Sequence, residues 1–375
     1  MIVFYSMLLW PLLIYFVYSL NHKEEMMLTD YYLKQGIQQR VPWMYAIILF
    51  GYFIFWIGMR NGIGDTYVYM NVFNAIPTDF NTAWSEIKWD GKNPGFDIFN
   101  ALFKCFISQD VQWWLMTIAI ISGVCIMIVL RKYSIDFFYS SFLFISMMIF
   151  FWLMNGMRQF IAVAILFLCC DWIIKGKYIK FIIAVIILYY VHSTAILMIP
   201  LFFIARIKPW SGKIVAFMAG MILICVFSEP FFSGMDSALS GTAYAGSVSQ
   251  FASDDGVNPI RVMFYAIIPI VVFWRKDRFV PYYEKFPILP ICINMSVITA
   301  ALYLVGMVTS GVLIGRFPIY TEVYNMILIP FVFKIAFDKD EQQIAKSIYT
   351  IIVFLFFYLQ GGNSSYTSEL TGMIK

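Results

Sequence analysis

Four arginines lie at the edges of long apolar segments, where a charged side chain is costly without a partner. They are Arg60 in "WIGMRNGIGDTYVY", Arg158 in "NGMRQ", Arg261 in "NPIRVMF" and Arg316 in "IGRFPIYTEVY". A guanidinium keeps its charge at any accessible pH, and its planar fork of donors matches phosphate oxygens. Several such groups around one cavity would bind a multiply charged anion. The alternative for each arginine is an interfacial anchor that reaches the lipid headgroups.

Two further residues could act on a proton. His192 stands in the polar break "YYVHSTA", and an imidazole can take a proton from a hydroxyl nucleophile near neutral pH. Asp65 follows two glycines and shares a helix face with Tyr69, four residues on. We predict His192 as the base and Asp65 as the second candidate. The alternatives are a histidine bonded within a helix bundle and an aspartate that caps a helix.

The composition indicates an all-α polytopic membrane protein. Hydrophobic residues make up 61% of the 375 and charged residues 13%, whereas about a quarter of a soluble sequence is charged. A chain in lipid must satisfy its backbone internally, which favours helices. With six cysteines that form no CxxC pair and two histidines, we expect no metal and no cofactor. We predict about twelve transmembrane helices, at residues 2–20, 42–59, 111–130, 135–154, 157–174, 180–192, 194–207, 214–229, 260–274, 286–308, 318–336 and 345–360.

The basic residues predict the orientation of these helices. Eighteen of the 26 lysines and arginines fall in alternate breaks, which we assign to the cytoplasmic side. The four arginines then lie on the outer side. We predict one integral membrane domain over residues 1–375, with external loops at 60–110 and 230–259 and short amphipathic helices in the first loop. Since membrane topology explains the net charge of +4, we expect no nucleic-acid partner.

An ordered set of short motifs resembles a known family. "RNGIGDTYVY", "NPGFDIFN", "NGMRQFIA", "YYVHSTA" and "GRFPIYTEVY" are similar to motifs of the EpsG family of bacterial polysaccharide proteins, which look like Wzy-type polymerases. The resemblance runs from about residue 40 to about residue 330. In this chain Asn93 replaces the acidic residue that the family usually has before its Pro-Gly-aromatic sequence, so no acid role is expected there.

The resemblance implies a membrane glycosyltransferase with a GT-C-like fold. Such an enzyme polymerises lipid-linked repeat units for exopolysaccharide, capsule or O-antigen, and it needs no metal. It moves the growing glycan from undecaprenyl diphosphate to a sugar hydroxyl of the next lipid-linked unit, at the outer face of the bacterial cytoplasmic (inner) membrane. The implied partners are this lipid-linked oligosaccharide, membrane lipids and a chain-length regulator protein.

The resemblance to this family implies a role for each candidate residue. Arg158 would stabilise the departing diphosphate and counts as catalytic together with His192 and Asp65. The diphosphate would be bound by Arg60, Arg158, Arg261 and Arg316, and the sugars by Tyr69, Gln159 and Tyr320. The alternatives are a flippase for lipid-linked oligosaccharides, an O-antigen ligase-like or other GT-C transferase, and a non-catalytic subunit of an export complex. A flippase would need access from both sides, and the one-sided arginines favour the polymerase.

Overall fold

A computed structural model describes residues 2–23, 29–91, 93–239, 255–361, 366–369 and 371–372. All regular elements of these residues are helices, as the composition predicts. Half of the predicted second external loop, residues 240–254 of 230–259, lies outside the described residues.

The helices follow one another closely along the chain. The first half contains α1 (Ile2–Asn21), α2 (Thr29–Gln35), α3 (Trp43–Gly58), α4 (Thr66–Ala75), α5 (Phe80–Ser85), α6 (Pro94–Phe106), α7 (Val111–Tyr133), α8 (Phe137–Ser146), α9 (Ile149–Asn155), α10 (Met157–Leu168) and α11 (Cys170–Ile174). The second half contains α12 (Tyr178–Tyr189), α13 (Met198–Ala205), α14 (Gly212–Val226), α15 (Ser228–Leu239), α16 (Pro259–Trp274), α17 (Lys276–Phe279), α18 (Ile288–Met307), α19 (Ile319–Glu322), α20 (Asn325–Ala336) and α21 (Lys339–Gly361). Single 3₁₀ turns lie at Ser193–Leu197, Val280–Tyr282 and Ile314–Arg316.

Among the described residues, α1, α7, α18 and α21 are long and apolar enough to cross a membrane. Two bent helix pairs raise that number to six if each pair is one span. These pairs are α8 with α9, bent by 53°, and Ile314–Glu322 with α20, bent by 58°. Six further apolar helices have 10–17 residues, fewer than the roughly 20 that a straight span needs. The chain is therefore a multi-pass membrane protein, and its described residues contain four to six spans that meet the length requirement.

The described chain forms two compact units. The first contains residues 1–171, 179–196 and 344–375, and the second contains residues 172–178 and 197–343. In the first unit α7 is central, with α3 and α10 packed against it and α1 packed on α8. Gly123 allows the approach of α3, because a Cβ built there would lie 2.5 Å from Cγ1 of Ile54.

The helices of the 60–110 segment pack onto this unit through an apolar cluster. Its buried residues include Phe73 of α4, Phe96 and Phe103 of α6, Trp114 of α7 and Met157 of α10. The segment contains helices, and the buried apolar residues of α4 and α6 pack against those of α7 and α10. Because Phe96 and Met157 belong to one cluster, the first turns of α6 and α10 are held next to each other.

In the second unit α18 is central. The helices α13, α14, α16, α19 and α20 all pack on it. The Asn294 amide in α18 donates to the carbonyl oxygens of Ala205, at 3.0 Å, and Ile207, at 2.6 Å, beyond the end of α13. Arg278 forms a two-pronged ion pair with Asp338, with N–O distances of 3.0 and 3.3 Å. A buried polar core continues between α18 and α19, where Thr299 and Thr321 hydroxyls lie 2.7 Å apart.

Candidate functional site

Arg158 lies in the first turn of α10, where two aromatic rings hold its guanidinium. The chain leaves α9 at Gly156 and begins α10 at Met157, so Arg158 sits beside a break in the apolar segment. Its Nε donates to the Tyr69 hydroxyl at 3.3 Å. Its Cζ lies 5.3 Å from the Tyr69 ring centre and 5.9 Å from that of Phe96. The group is half-buried, and a helix N-terminus itself favours anions, so this position suits a phosphate.

Asp97, in the first turn of α6, is a second charged group at this position. Burial raises the pKa of its half-buried carboxyl above the usual range, and the positive charges of Arg158 and Lys88 act in the opposite direction. Asp97 follows Phe96, whose ring centre lies 5.9 Å from Cζ of Arg158, so the carboxyl is in the same region as the guanidinium without an ion pair between them among the described contacts. Asp97 stands within "NPGFDIFN" but is not among the residues predicted from the sequence.

His192 lies in the turn that joins α12 to the 3₁₀ turn at Ser193–Leu197. Its Nδ1 is 2.7 Å from the Thr194 hydroxyl oxygen, which also accepts a hydrogen bond of 3.3 Å from the Gln159 amide. In the tautomer with a proton on Nδ1, the ring donates to Thr194 and its Nε2 is the proton acceptor. Gln159 follows Arg158 directly, so this network connects the histidine to the arginine turn.

The start of α6 holds the histidine turn in place. Asn93 Oδ1 accepts a hydrogen bond from the Ser193 backbone N–H at 3.2 Å, and the Gly95 N–H donates to the Tyr190 carbonyl oxygen at 2.8 Å. Only glycine fits at position 95, because a Cβ would lie 2.9 Å from that carbonyl oxygen. Asn93, where an acid was expected from the family motif, thus makes a contact that positions the neighbours of His192.

Asp65 occupies the N-cap position of α4 at the surface. Its backbone N–H donates to Asn155 Oδ1 at 2.8 Å, and its carboxylate makes no capping hydrogen bond. Gly64 adopts a left-handed conformation with φ of 51°, and the turn that it forms lies against Asn155. Tyr69, one helical turn further on, contacts Arg158, so Asp65 lies at the exposed end of the helix that reaches the site.

Arg60 is fully buried, with an exposed fraction of 0%. Its guanidinium donates to the Thr66 hydroxyl at 3.0 Å and to the carbonyl oxygens of Ile57, at 2.5 Å, and Met154, at 3.2 Å. It also lies 2.7 Å from the Met157 sulfur. These contacts tie the end of α3 to the start of α4 and to the break between α9 and α10. The placement favours a structural role for Arg60 over direct contact with a diphosphate.

Arg60→Met is expected to lower the free energy of unfolding. Methionine fills a similar volume, but it leaves the Ile57 and Met154 carbonyl oxygens without the hydrogen bonds that Arg60 donates. A buried polar group without a hydrogen-bond partner costs about 1–3 kcal/mol. The measurement is the thermal unfolding midpoint of the purified protein in detergent, with the exposed Arg40→Met as control. A midpoint equal to that of the unaltered protein, with diphosphate binding lost, would instead support the anion-binding role.

Arg261 belongs to a network in the second unit. It lies in the first turn of α16, with its Cζ 5.9 Å from the Tyr303 ring centre. Tyr303 donates to Glu322 Oε2 at 2.6 Å, and Glu322 is only 1% exposed. Tyr265 and Glu322 interact electrostatically with Arg261 and belong to the same cluster. Glu322, which the sequence analysis also passed over, stands in "GRFPIYTEVY".

The other two residues proposed for this unit differ in exposure. Arg316 is exposed at the 3₁₀ turn Ile314–Arg316. Tyr320 in α19 is 2% exposed, which places its ring in the packed interior of the unit. The exposed guanidinium is accessible to an anion, whereas a sugar could reach Tyr320 only if neighbouring side chains moved.

The structure therefore brings together Arg158, Gln159, Tyr69 and His192 within the first unit, and it adds Asp97, Asn93 and Thr194 to them. Arg60 is buried and connects the helix ends next to this group through its hydrogen bonds. Arg261, Arg316 and Tyr320 lie in the second unit. An acidic residue beside a Pro-Gly helix start was the sequence signal that could have identified Asp97.

The chain matches the EpsG family over residues 43–370, which extends beyond the region where its motifs showed the resemblance. No curated protein and no solved structure matches it. EpsG proteins are a Wzy-like polysaccharide polymerase family. A match over most of the chain, together with its apolar helices, leads to one conclusion: this protein is a member of the EpsG family.

Proposed function

We propose that the protein is a membrane glycosyltransferase that polymerises lipid-linked oligosaccharide repeat units. The observation that carries this proposal is the group around Arg158. A half-buried guanidinium at a helix N-terminus, a half-buried carboxyl in the first turn of α6 and a histidine turn lie on one unit of a membrane protein. The guanidinium can stabilise a diphosphate leaving group. The carboxyl and the histidine can bind a sugar hydroxyl and accept its proton. Membership of a polysaccharide polymerase family supports the same reaction.

The reaction moves a glycan from a polyprenyl diphosphate, such as undecaprenyl diphosphate, to the next lipid-linked unit. A bond forms between the acceptor hydroxyl oxygen and the anomeric carbon of the donor glycan, while the bond from that carbon to the diphosphate oxygen breaks. The electron pair stays on the diphosphate. Arg158 stabilises this charge as it develops, and we propose that it does so without a metal ion. The hydroxyl proton goes to His192.

The remaining residues bind and orient the substrates. We assign the acceptor sugar to Asp97 and Tyr69, with Asp65 at the outer end of α4. Gln159, predicted as a sugar contact, is reassigned to orienting His192 through Thr194. Arg60 holds the break before α10 in place. Arg261 and Arg316 are proposed contacts to diphosphate in the second unit, and Tyr320 is a proposed sugar contact.

The number of spans, the cellular location, the pathway and the protein partner belong to the same proposal. Twelve spans arise if the six shorter apolar helices also cross the membrane, and we propose this arrangement with a GT-C-like fold. The distribution of basic residues supports an external active site on the bacterial cytoplasmic membrane, in an exopolysaccharide, capsule or O-antigen pathway. A chain-length regulator is the proposed protein partner.

Chain elongation by the purified protein tests the proposal. Undecaprenyl-diphosphate-linked repeat units, extracted from the producing cells, would be incubated with the protein in detergent, and products would be separated by size. We expect a ladder whose steps equal one repeat unit and which appears without any other protein. A product that stays at one repeat unit with this intact substrate, while the protein moves the same lipid across vesicle membranes, would establish the flippase instead.

A further inference from the structure

The chain beyond α21 returns to the end of α3 in the first unit. Of the described tail residues 366–369, Tyr366 and Ser368 are buried. The Tyr366 ring packs edge-on against two aromatic rings, with centre-to-centre distances of 6.1 Å to Phe4 and 5.8 Å to Trp56. Aromatic rings bury a large apolar area and favour such edge-to-face contacts. The tail is therefore held in the first unit by its tyrosine.

The Tyr366 hydroxyl binds the C-terminal end of α3. An α-helix leaves its last four carbonyl oxygens without a partner inside the helix, so other groups must supply their hydrogen bonds. Tyr366 donates to the Trp56 carbonyl oxygen at 2.8 Å, and Arg60 donates to that of Ile57. The tail thus binds the helix end from which the chain continues toward α4.

Asn61 pairs with the tail at two points. Its backbone N–H donates to the Thr367 carbonyl oxygen at 2.9 Å, and its Oδ1 accepts a hydrogen bond of 2.8 Å from the Glu369 N–H. Gly62 allows the two segments to come this close, because a Cβ at this position would overlap with Thr367 Oγ1. The 61–62 segment is therefore fixed to the tail by its backbone as well as by a side chain.

The same connection is held on its other side by the break between α9 and α10. The Asp65 N–H donates to Asn155 Oδ1 at 2.8 Å. Tyr69, one turn further along α4, accepts a hydrogen bond of 3.3 Å from Arg158. The tail, the 61–65 segment and the start of α4 thus form a continuous path of contacts that ends at the Arg158 guanidinium.

We propose that residues 366–369 form a strap that positions α4, and that Tyr366 is a positioning residue for the group around Arg158. The docking of the strap rests on its own contacts, whereas its effect on the reaction rests on the proposed function. Tyr69 orients the Arg158 guanidinium through one hydrogen bond and through its ring. A displaced α4 would turn the guanidinium away from the departing diphosphate, and a misplacement of about 1 Å can cost about 10²-fold in rate.

Tyr366→Ala is expected to lower kcat for chain elongation by about 10–10²-fold with little change in KM, because misplacement acts on the transition state more than on binding. The measurement is steady-state elongation by the purified full-length protein, at a temperature well below the unfolding midpoint of each variant. Tyr358→Ala removes an exposed tyrosine of α21 and is the matched control, which should elongate at the unaltered rate. A higher rate in Tyr366→Ala would mean that the tail obstructs the site, and the proposal would be wrong.

A pair of substitutions tests the contact between the tail and the loop. Gly62→Ala places a methyl group against Thr367 Oγ1 and should lower kcat by about tenfold. Thr367→Ala removes that oxygen and leaves its own Cβ 3.8 Å from the new methyl group, an ordinary contact, so the double variant should regain most of the rate. Thr367→Ala alone should elongate normally. A double variant as slow as Gly62→Ala would show that the substitution acts within the loop, against the proposed strap.

Hydrogen exchange gives a readout that does not depend on elongation. In Tyr366→Ala, the backbone amides of Asn61 and Asp65 should exchange several-fold faster, because the first loses its acceptor in the tail and the second its fixed position against Asn155. Unchanged exchange at Asp65 would overturn the proposal whether or not the protein elongates chains. If exchange at Asp65 responds but the unaltered protein shows no elongation, the strap stands and the polymerase fails. If the unaltered protein and Tyr366→Ala elongate equally well, the polymerase stands and the strap fails.

Discussion

Arg158→Lys is expected to lower the rate of chain elongation by on the order of 10²–10³, the usual effect of removing one donor from a charge-stabilising site. Lysine keeps the charge but loses the planar fork that can donate to two phosphate oxygens at once. It also loses the stacking position over the Tyr69 and Phe96 rings, which holds the guanidinium in one orientation. The measurement is single-turnover elongation by purified protein with lipid-linked repeat units.

Arg40→Lys is the matched control for this prediction, because Arg40 is an exposed arginine outside the site. We expect it to leave elongation and the unfolding midpoint unchanged. The unfolding midpoint of Arg158→Lys should also stay close to that of the unaltered protein, since Arg158 is half-buried. A near-normal elongation rate in Arg158→Lys would mean that this arginine is an interfacial anchor.

His192→Ala is expected to lower turnover by about 10²–10⁴ with little change in binding of the lipid-linked substrates, because a positioned general base typically contributes that much. The contact between Nδ1 and Thr194 at 2.7 Å is consistent with this role, because it can hold the ring in the tautomer whose Nε2 accepts a proton. Turnover and acceptor binding should be measured separately, so that loss of the base can be told from loss of the substrate.

Two comparisons sharpen this test. His22→Ala changes the other histidine of the chain, which stacks on Tyr18 in α1, and should have no effect on turnover. Asp65→Asn should weaken acceptor binding more than it slows the chemical step. If His192→Ala turns over normally while Asp65→Asn binds acceptor and does not react, the two roles must be exchanged.

The candidate site was only partly predictable from the sequence. The charge pattern identified Arg158 and His192, since a charge or an imidazole inside apolar sequence is conspicuous. It did not identify Asp97, because an acid in a polar-looking connection between helices is ordinary, and only packing shows that this carboxyl is half-buried. Nor could it show that Asn93 bonds to the backbone next to His192, across a separation of about a hundred residues.

What the sequence by itself determined is the class of protein, its helical character and its family. Long apolar segments leave the backbone no partner in lipid other than itself, so helices follow from composition alone. Only the tertiary structure decided which contacts each arginine makes. Arg60 and Arg158 look alike in sequence. Arg60 is nevertheless fully buried among backbone and side-chain acceptors, whereas Arg158 is half-buried and lies over the rings of Tyr69 and Phe96. The physical reason is that the exposure of a side chain at a helix end depends on which neighbouring helix covers it. Those neighbours are brought there by long-range apolar packing, such as the Phe96–Met157 cluster, which no local pattern encodes.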